Sequence, residues 1–418
     1  MNDGKEQLVA IGAIQKKLLG KKLTYREIYA IMDEIAHEKL SDILTTYFVA
    51  SSFKEGYSPQ ELFFFTKAMV ETGNQLKFKG IVADKHSVGG IAGTRTTMII
   101  VPIIAAAGFK IPKISSRAIT TPAGTADVME AIASVEFTPK QIEKIVNEVG
   151  GCIAWNGKMG IAPADDIIIR VEEPLSFESF DKIIISVMAK KVAAGTTHLV
   201  LDIPIGKTAK IHRYSEGENV AKKFENLAQR FNIKVICDVN EILEPAGRGI
   251  GPILEVRDAL YVLEQKTDRP LRLETKSLRL AGKLLNLCYK EKKNGKNGED
   301  EARKILESGA ALRKFQEIVK AQGGDNHITS DSLLLAKNKF EFHSSVSGKI
   351  KDINNYNLNT IARILGSPND KKAGVYLLKK LDHSVNKNEP IFILYSDDRY
   401  RLKEAEATLK NLPIFRIE

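Results

Sequence analysis

Along residues 5–74 the apolar and polar positions follow the pattern of successive helices, and Phe63, Phe64 and Phe65 fall in a helical core pattern rather than on an exposed sheet. Two of these helices mark their own starts. Thr24-Tyr25-Arg26-Glu27 and Ser58-Pro59-Gln60-Glu61 both match a capping box, and the second has proline at the first helical position. Gly73 supplies a stop. From about residue 80 the texture changes. Short β-branched runs, Lys79 to Ala83 and His198 to Ile203, alternate with helical stretches such as Thr97 to Ala107, which predicts an α/β layer with mostly parallel strands.

The run DKIIISVMAKKVAA, residues 181–194, again reads as a helix and ends at Gly195, before the strand THLVLDIPIG. This helix is expected to pack back on the N-terminal ones. Residues 289–304, YKEKKNGKNGEDEARK, read as a solvated loop leading into a helix, their lysines as an exposed face. From about 338 the pattern turns β-like, in FEFHSSVSGKIKDI and later EPIFILYS, and no internal repeat is present. The expected fold class is therefore α/β. It comprises a discontinuous small all-helical domain (1–75 plus 160–194), a larger α/β domain with a central mostly parallel sheet (76–159 plus 195–335) and a β-rich C-terminal α+β domain (336–418).

Composition narrows the picture only slightly. The 418 residues, 43% hydrophobic and 7% aromatic, suit a globular protein with a large core. A formal charge of +10 suits an anionic partner, but enzymes of phosphorylated substrates are equally basic and no nucleic-acid module is recognisable. Cys152, Cys237 and Cys288 form no CxxC pair, and no signal peptide or long apolar run is present, so a cytoplasmic protein without nucleic-acid or membrane partners is expected.

The candidate chemistry begins at KHSVGG. Glycines 89, 90 and 93, then Thr94-Arg95-Thr96-Thr97 and the apolar run MIIVPIIAAAG, describe a strand, a glycine-rich loop and a helix N-terminus. Such a loop exposes backbone N–H groups to an oxyanion; Lys85 supplies a full charge, Ser87 and Thr97 hydroxyl donors. It is neither a Walker A motif nor a dinucleotide fingerprint. A glycine turn with polar caps explains this loop equally well taken alone. A second unit, KISSRAITTPAGTAD at 113–127, repeats the plan of strand, hydroxyl-rich loop and helix. Two such loops at one edge of a parallel sheet point to a site for one or two phosphates.

KHSVGG, KISSRAITTPAGTAD, APADD and SVMAKKVAAGTTHLVLDIPIG together resemble the thymidine phosphorylase and AMP phosphorylase family, over essentially residues 5–418. The motifs look closer to the archaeal-type AMP phosphorylases. That resemblance implies phosphorolysis of nucleoside 5′-monophosphates: inorganic phosphate attacks C1′ and the base leaves, AMP giving adenine and ribose 1,5-bisphosphate, with CMP and UMP as further substrates. A thymidine- or uridine-type nucleoside phosphorylase is the alternative. Phosphate is the co-substrate, and no cofactor or metal is implied. A phosphoribosyltransferase shares the layout but usually needs magnesium, and no acidic cluster suited to it lies near KHSVGG.

By the same resemblance Lys85, Ser87, Thr97, Ser115 and Thr125 hold phosphate, with Gly89 and Gly90 allowing close backbone approach. Gly90, Ser116, Arg117, Ala118, Ile119, Thr120, Thr121 and Thr125 match nucleotide-contacting positions. Arg170, Ser186 and Lys190 match base-contacting ones, the last two sharing a helix face. Lys210 matches a nucleotide contact. Lys85 and His86 are catalytic candidates, His86 near the base or ribose or else fixing the loop. Glu178 aligns with the family's proton-donating acid, usually aspartate there, and Asp181 is the fallback. Ile167-Ile168-Ile169 stand where the pyrimidine enzymes carry a tyrosine before the arginine, which favours a purine or less selective pocket. The family's extra N-terminal domain has no counterpart before the helical region, so a homodimer is expected. Gly157, Gly160 and Gly195 sit where hinges between lobes would be useful, and His343 and His383 are expected to be ordinary surface or turn residues.

Overall fold

The structure, a computed structural model, describes residues 3–51, 56–118, 121–157, 159–172 and 179–418. The N-terminal lobe packs α1 (Asp3–Leu18), α2 (Tyr25–Ala36), α3 (Asp42–Ser51) and α4 (Pro59–Glu71). Both expected capping boxes form: the Thr24 and Ser58 hydroxyls accept from the backbone N–H groups of Glu27 and Glu61, whose carboxylates accept from the cap N–H groups in return. Glu61 also takes the buried ammonium of Lys17 at 2.9 Å, so one cap ties α4 to α1.

The middle of the chain runs β1 (Ala83–Ser87), α5 (Thr97–Ala106), β2 (Ile111–Ser115), α6 (Thr125–Glu130), α7 (Pro139–Val149), β3 (Gly151–Trp155), α8 (Pro163–Glu172), α9 (Phe180–Ala193), β4 (His198–Ile205), α10 (Tyr214–Arg230), β5 (Lys234–Glu241), β6 (Gly249–Ile250), α11 (Pro252–Leu263), α12 (Leu271–Glu291), α13 (Gly298–Glu307) and α14 (Ala310–Ala321). Strands β5, β4 and β1 are parallel neighbours, as are β2 and β3, and a parallel bridge between Val82 and Lys110 joins the two groups. The layer is thus ordered β5-β4-β1-β2-β3, with every carboxyl end at one edge. Alternation along β4 distributes the core: Leu199, Leu201 and Ile203 join the apolar cluster that continues into the helical lobe, while Val200 joins the cluster built on α5, α11 and α12.

Helices α8 and α9 cross back onto the N-terminal lobe, α9 against α4 and α8 against α2 and α3. The crossings are pinned by backbone hydrogen bonds from Asn74 to Gly160 (2.7 Å) and from Leu76 to Ala193 (2.8 Å). Gly160 and Gly195 stand at φ 62° and 72°, which the turns themselves require.

Two local expectations are corrected. The strand placed at 79–83 lies at 83–87, because pairing with β4 begins at Ala83 opposite His198 and carries through to Ser87 opposite Asp202. Asp84, Lys85, His86 and Ser87 are therefore strand residues, not loop residues. In the stretch 289–304, helix continues through Glu291 and resumes at Gly298 under an Asn297 cap, so the solvated loop is short.

The C-terminal part comprises β7 (Asn338–His343), β8 (Gly348–Ile353), α15 (Asn355–Ile364), β9 (Gly374–Leu377), β10 (Ser384–Val385), β11 (Pro390–Ser396), α16 (Arg399–Thr408) and β12 (Phe415–Ile417). It forms antiparallel sheets ordered β6-β9-β11-β7 and β10-β8-β12. β6 is lent by the segment before α11, so the two parts share a sheet. His343 and His383 are exposed. Among the described residues no helix is long and apolar enough to cross a membrane.

Candidate active site

Pleating of β1 sends Asp84 and His86 to one face and Lys85 and Ser87 to the other. On the first face the buried Asp84 carboxylate lies 3.5 Å from Lys113 of β2 and 2.5 Å from Lys191 of α9. Burial drives the Lys113 ammonium well below its ordinary range, outweighing Asp84, and neighbouring Lys191 and Lys85 push the same way. His86 is held well below its ordinary range by burial and then by Lys191, Lys113, Lys85 and Lys190. It is thus a neutral imidazole at neutral pH, able to donate one N–H but not to serve as a cationic acid.

On the second face Lys85 is 4% exposed and makes no ion pair among the described residues. Burial brings its ammonium down to about 8; Asp202 opposes this, and Lys276 and Arg95 reinforce it. Asp202 is already engaged, by Lys276 Nζ at 2.9 Å and by the Asn240 amide at 2.8 Å. Several buried cations therefore gather at the root of the glycine loop with too few carboxylates to match. Ser87 donates to Asp202 Oδ2 at 2.8 Å. Its single proton must leave that bond before it can reach a bound anion. Gly89 lies so close to β4 that a Cβ would sit 2.1 Å from Pro204 Cγ, so any side chain there would force the loop off the strand.

The second loop meets the first through Arg95. Its guanidinium donates to Glu255 Oε2 (2.7 Å), to the Ala123 carbonyl (2.7 Å) and to Thr125 Oγ1 (3.0 Å). Because Thr125 accepts there, its own proton is available to a ligand. Thr97 opens α5 with backbone N–H groups unclaimed by a side-chain cap. Ser115 ends β2 in step with Lys113, on the Asp84 face, and makes only a 3.4 Å contact to the Ser116 carbonyl. Lys85 and Ser115 can thus share one anion only beyond the strand ends. Asp127 shapes this loop by accepting from the Ala118 and Gly124 N–H groups, and Lys371 of the C-terminal part braces it, 3.4 Å from Asp127 and 2.6 Å from Glu130. Arg117 is committed to Glu130 and Glu136 and stacks 4.5 Å over the Trp155 ring. Thr121 donates to the Ala123 carbonyl, a turn-closing role.

Across a cleft of about 310 Å³, bounded by Ser116, Arg117 and Ala118 on one side and by Asp166 and Ile169 on the other, lies α8. Ser186 and Lys190 do share a face of α9, and both bind buried Asp165, at 2.9 and 2.5 Å. Burial works against the Lys190 charge, but Asp165 and then Asp166 more than offset it, raising its titration. Arg170 does not join them. It is exposed and paired with Asp42 of α3 at 3.0 Å, an exchangeable surface contact worth about 0–1 kcal/mol. Asp181, the fallback acid, has both oxygens engaged, by the Tyr57 N–H (2.8 Å) and Lys223 (2.5 Å), and so fixes the start of α9. Lys210 sits half-buried in the turn after β4, at the carboxyl edge. Gly90 lies beside Gly89 in the first loop. Ile119, Thr120 and Glu178 lie outside the described residues.

Arg95 and Asp165 are the residues that sequence reasoning passed over. Arg95 carried a signal: a cation immediately before a helix start opposes the dipole, so its presence asks for a buried acid elsewhere. Glu255, 160 positions away, is that acid.

Models of known families match three consecutive parts of the chain: a glycosyl transferase family helical bundle domain over residues 11–73, the α/β domain of the same family over 79–312, and a pyrimidine nucleoside phosphorylase C-terminal domain over 349–414. The AMP phosphorylase of Methanospirillum hungatei is 42% identical over 411 residues, covering 98% of this chain and 79% of that protein. The AMP phosphorylase of Methanocaldococcus jannaschii is 41% identical over 405 residues, covering 97% and 80%. Anthranilate phosphoribosyltransferase from Thermus thermophilus shares the fold at a TM-score of 0.60 and 18% identity, over 75% of this chain and 99% of its own. Helical bundle, parallel sheet and anion-friendly edge define a pentosyltransferase of the glycosyl transferase class. Within that class, the chain belongs to the family of nucleoside and nucleotide phosphorylases.

Proposed function

We propose that the chain cleaves nucleoside 5′-monophosphates with inorganic phosphate, AMP foremost, to free base and ribose 1,5-bisphosphate. The observation that supports this most is Lys85: a buried ammonium with no ion pair among the described residues, in β1 two residues short of the sheet edge that the two hydroxyl-bearing loops follow. A phosphate dianion supplies the missing charge. One of its oxygens attacks C1′ as the C1′–N bond breaks, and that bond's electron pair leaves with the base. Held in line beneath the sugar, the dianion also stabilises the cationic character of the transition state. Lys85, Thr125 and the α5 N-terminus are the phosphate's partners, with Ser115 and, once released from Asp202, Ser87. Neutral His86 donates a hydrogen bond to ribose or base. Ser186 and Lys190, oriented by Asp165, take the base; Lys210 takes the nucleotide's own phosphate. Glu178 remains the proposed proton donor to the leaving purine, whose departure as a bare anion is unfavourable.

Base release from AMP, CMP, UMP, adenosine, uridine and thymidine, each with and without phosphate, tests the reading. The expected result is phosphate-dependent release that is fastest with AMP and slow with adenosine. Adenosine turned over as well as AMP would overturn the nucleotide preference in favour of a nucleoside phosphorylase.

A homodimer through the N-terminal lobe belongs to the same proposal. Leu8 on α1 and Ile43 and Tyr47 on α3 are exposed to 70%, 70% and 54%, on helices that pack together. Light scattering is expected to give the mass of two chains, and Ile43→Glu that of one; a wild-type monomer would refute it.

A further inference from the structure

The glycine loop between β1 and α5 is backed by a segment from elsewhere in the chain. Residues 244–249 lead from β5 into β6, and two of their backbone N–H groups point at the loop: Gly247 donates to the Gly93 carbonyl at 2.7 Å and Ala246 to Thr94 Oγ1 at 3.0 Å. The fit leaves no room. A Cβ on Gly247 would sit 2.7 Å from the Gly93 carbonyl oxygen, and one on Gly93 2.8 Å from that of Gly249. The segment is itself held from two sides. On the α/β side, Asp258 of α11 accepts from the Arg248 and Gly249 N–H groups at 2.6 and 2.7 Å. On the other stands the C-terminal part, whose Lys380, just after β9, donates to the carbonyls of Pro245 and Gly247, the latter at 2.8 Å. Gly247 is thus bonded through its N–H to the loop and through its carbonyl to Lys380. The Lys380 side chain is 12% exposed and 3.6 Å from Glu244. A buried ammonium is tolerated only where its protons are taken, and here two of them go to one short stretch of backbone, which fixes that stretch.

We propose that Lys380 is a positioning residue for the attacking phosphate: through Gly247 and Ala246 it holds Gly93 and Thr94, and with them the glycine loop, in the shape that receives the anion. This rests on the reading of that loop as the phosphate site, and not on which base or nucleotide the chain prefers. Gly93 stands at φ 61°, so the loop passes through a conformation that glycine adopts freely and leaves as freely. A loop at liberty to wander must be ordered by the anion itself, which weakens binding. One already held binds without that loss. Lys380 therefore governs phosphate affinity, while the base, gripped from α9, is left alone.

The test measures kcat, KM for phosphate and KM for the fastest base donor in the wild type, Lys380→Met, Thr94→Val, Thr94→Ser and the double variant Lys380→Met/Thr94→Val. Methionine fills the space without the charge, and Glu244 keeps Arg272 and the Leu381 N–H, each at 2.8 Å, so no carboxylate is stranded. Valine keeps the shape of threonine but cannot accept from Ala246; serine can. Lys380→Met and Thr94→Val are each expected to raise KM for phosphate ~10-fold while moving kcat and the other KM less than ~3-fold, and Thr94→Ser to stay within ~3-fold of the wild type throughout. Because both act through one segment, the double variant is expected to remain near ~10-fold, where independent sites would multiply to ~100-fold. Multiplication in the double variant, a phosphate KM unmoved in Lys380→Met, or equal changes in all three constants would overturn the inference. A phosphate KM unmoved in Thr94→Val overturns it as well, even if Lys380→Met does not fold. Wild-type base release that is independent of phosphate brings down the reading beneath; phosphate-dependent release with these constants unmoved defeats the role of Lys380 alone.

Discussion

Replacing Lys85 with alanine is expected to lower turnover at least ~100-fold, the scale of losing a main electrostatic partner of the transition state. Lys85 sits in β1, flanked by Asp202, Lys276 and Arg95, with its charge held at the expense of stability. Its ammonium loses its proton at about 8 in the folded chain against 10.5 ordinarily. Below about 8 the folded chain therefore carries the full penalty of a buried charge, and the penalty fades as pH rises toward 10.5. Two further results follow. In the wild type, kcat/KM for phosphate falls as pH rises through about 8, and in Lys85→Ala that alkaline limb disappears. Lys85→Met, which fills the space without the charge, raises the denaturant midpoint while abolishing turnover, the signature of a residue kept for function. Near-normal rates for Lys85→Ala at saturating phosphate would remove Lys85 from the mechanism.

Arg95→Ala is expected to destabilise the chain by about 3–5 kcal/mol, because it strands the buried Glu255 carboxylate. It also releases Thr125 and Ala123 together, so the KM for phosphate rises ~10-fold or more. The double variant Arg95→Ala/Glu255→Gln separates the effects: stability returns as the stranded charge is removed, while the phosphate KM stays high. Denaturant titration and phosphate kinetics on the three proteins read this out. A double variant that recovers both would make Arg95 a purely structural residue.

Much of the fold was legible because its signals are local. The capping boxes at Thr24 and Ser58 need only four residues each, and both form as read. The parallel strands follow from β-branched runs spaced by helices. The boundary of β1 was not legible: Lys79 to Ala83 is the more apolar run, yet pairing with β4 extends the strand through four polar residues, and pairing is a tertiary fact. The site divides in the same way. Lys85, Ser87, Thr97, Ser115 and Thr125 could be named from loop chemistry and resemblance because they cluster in two short motifs. Arg95 and Asp165 act through partners from other elements, and spacing along a chain does not reveal such pairs. Arg170 shows the converse: a position can match while its long side chain turns to another carboxylate, here Asp42.

The central claim is that the sheet edge grips the attacking phosphate with Lys85 and both hydroxyl-bearing loops at once. A crystal of the wild-type chain soaked with phosphate and AMP tests it most directly. The account predicts a tetrahedral anion beyond the ends of β1 and β2, within about 3 Å of Lys85 Nζ and of the Thr125 and Ser115 hydroxyls, with Ser87 turned away from Asp202. An anion bound elsewhere, or Lys85 and Ser115 too far apart to touch the same one, would contradict it.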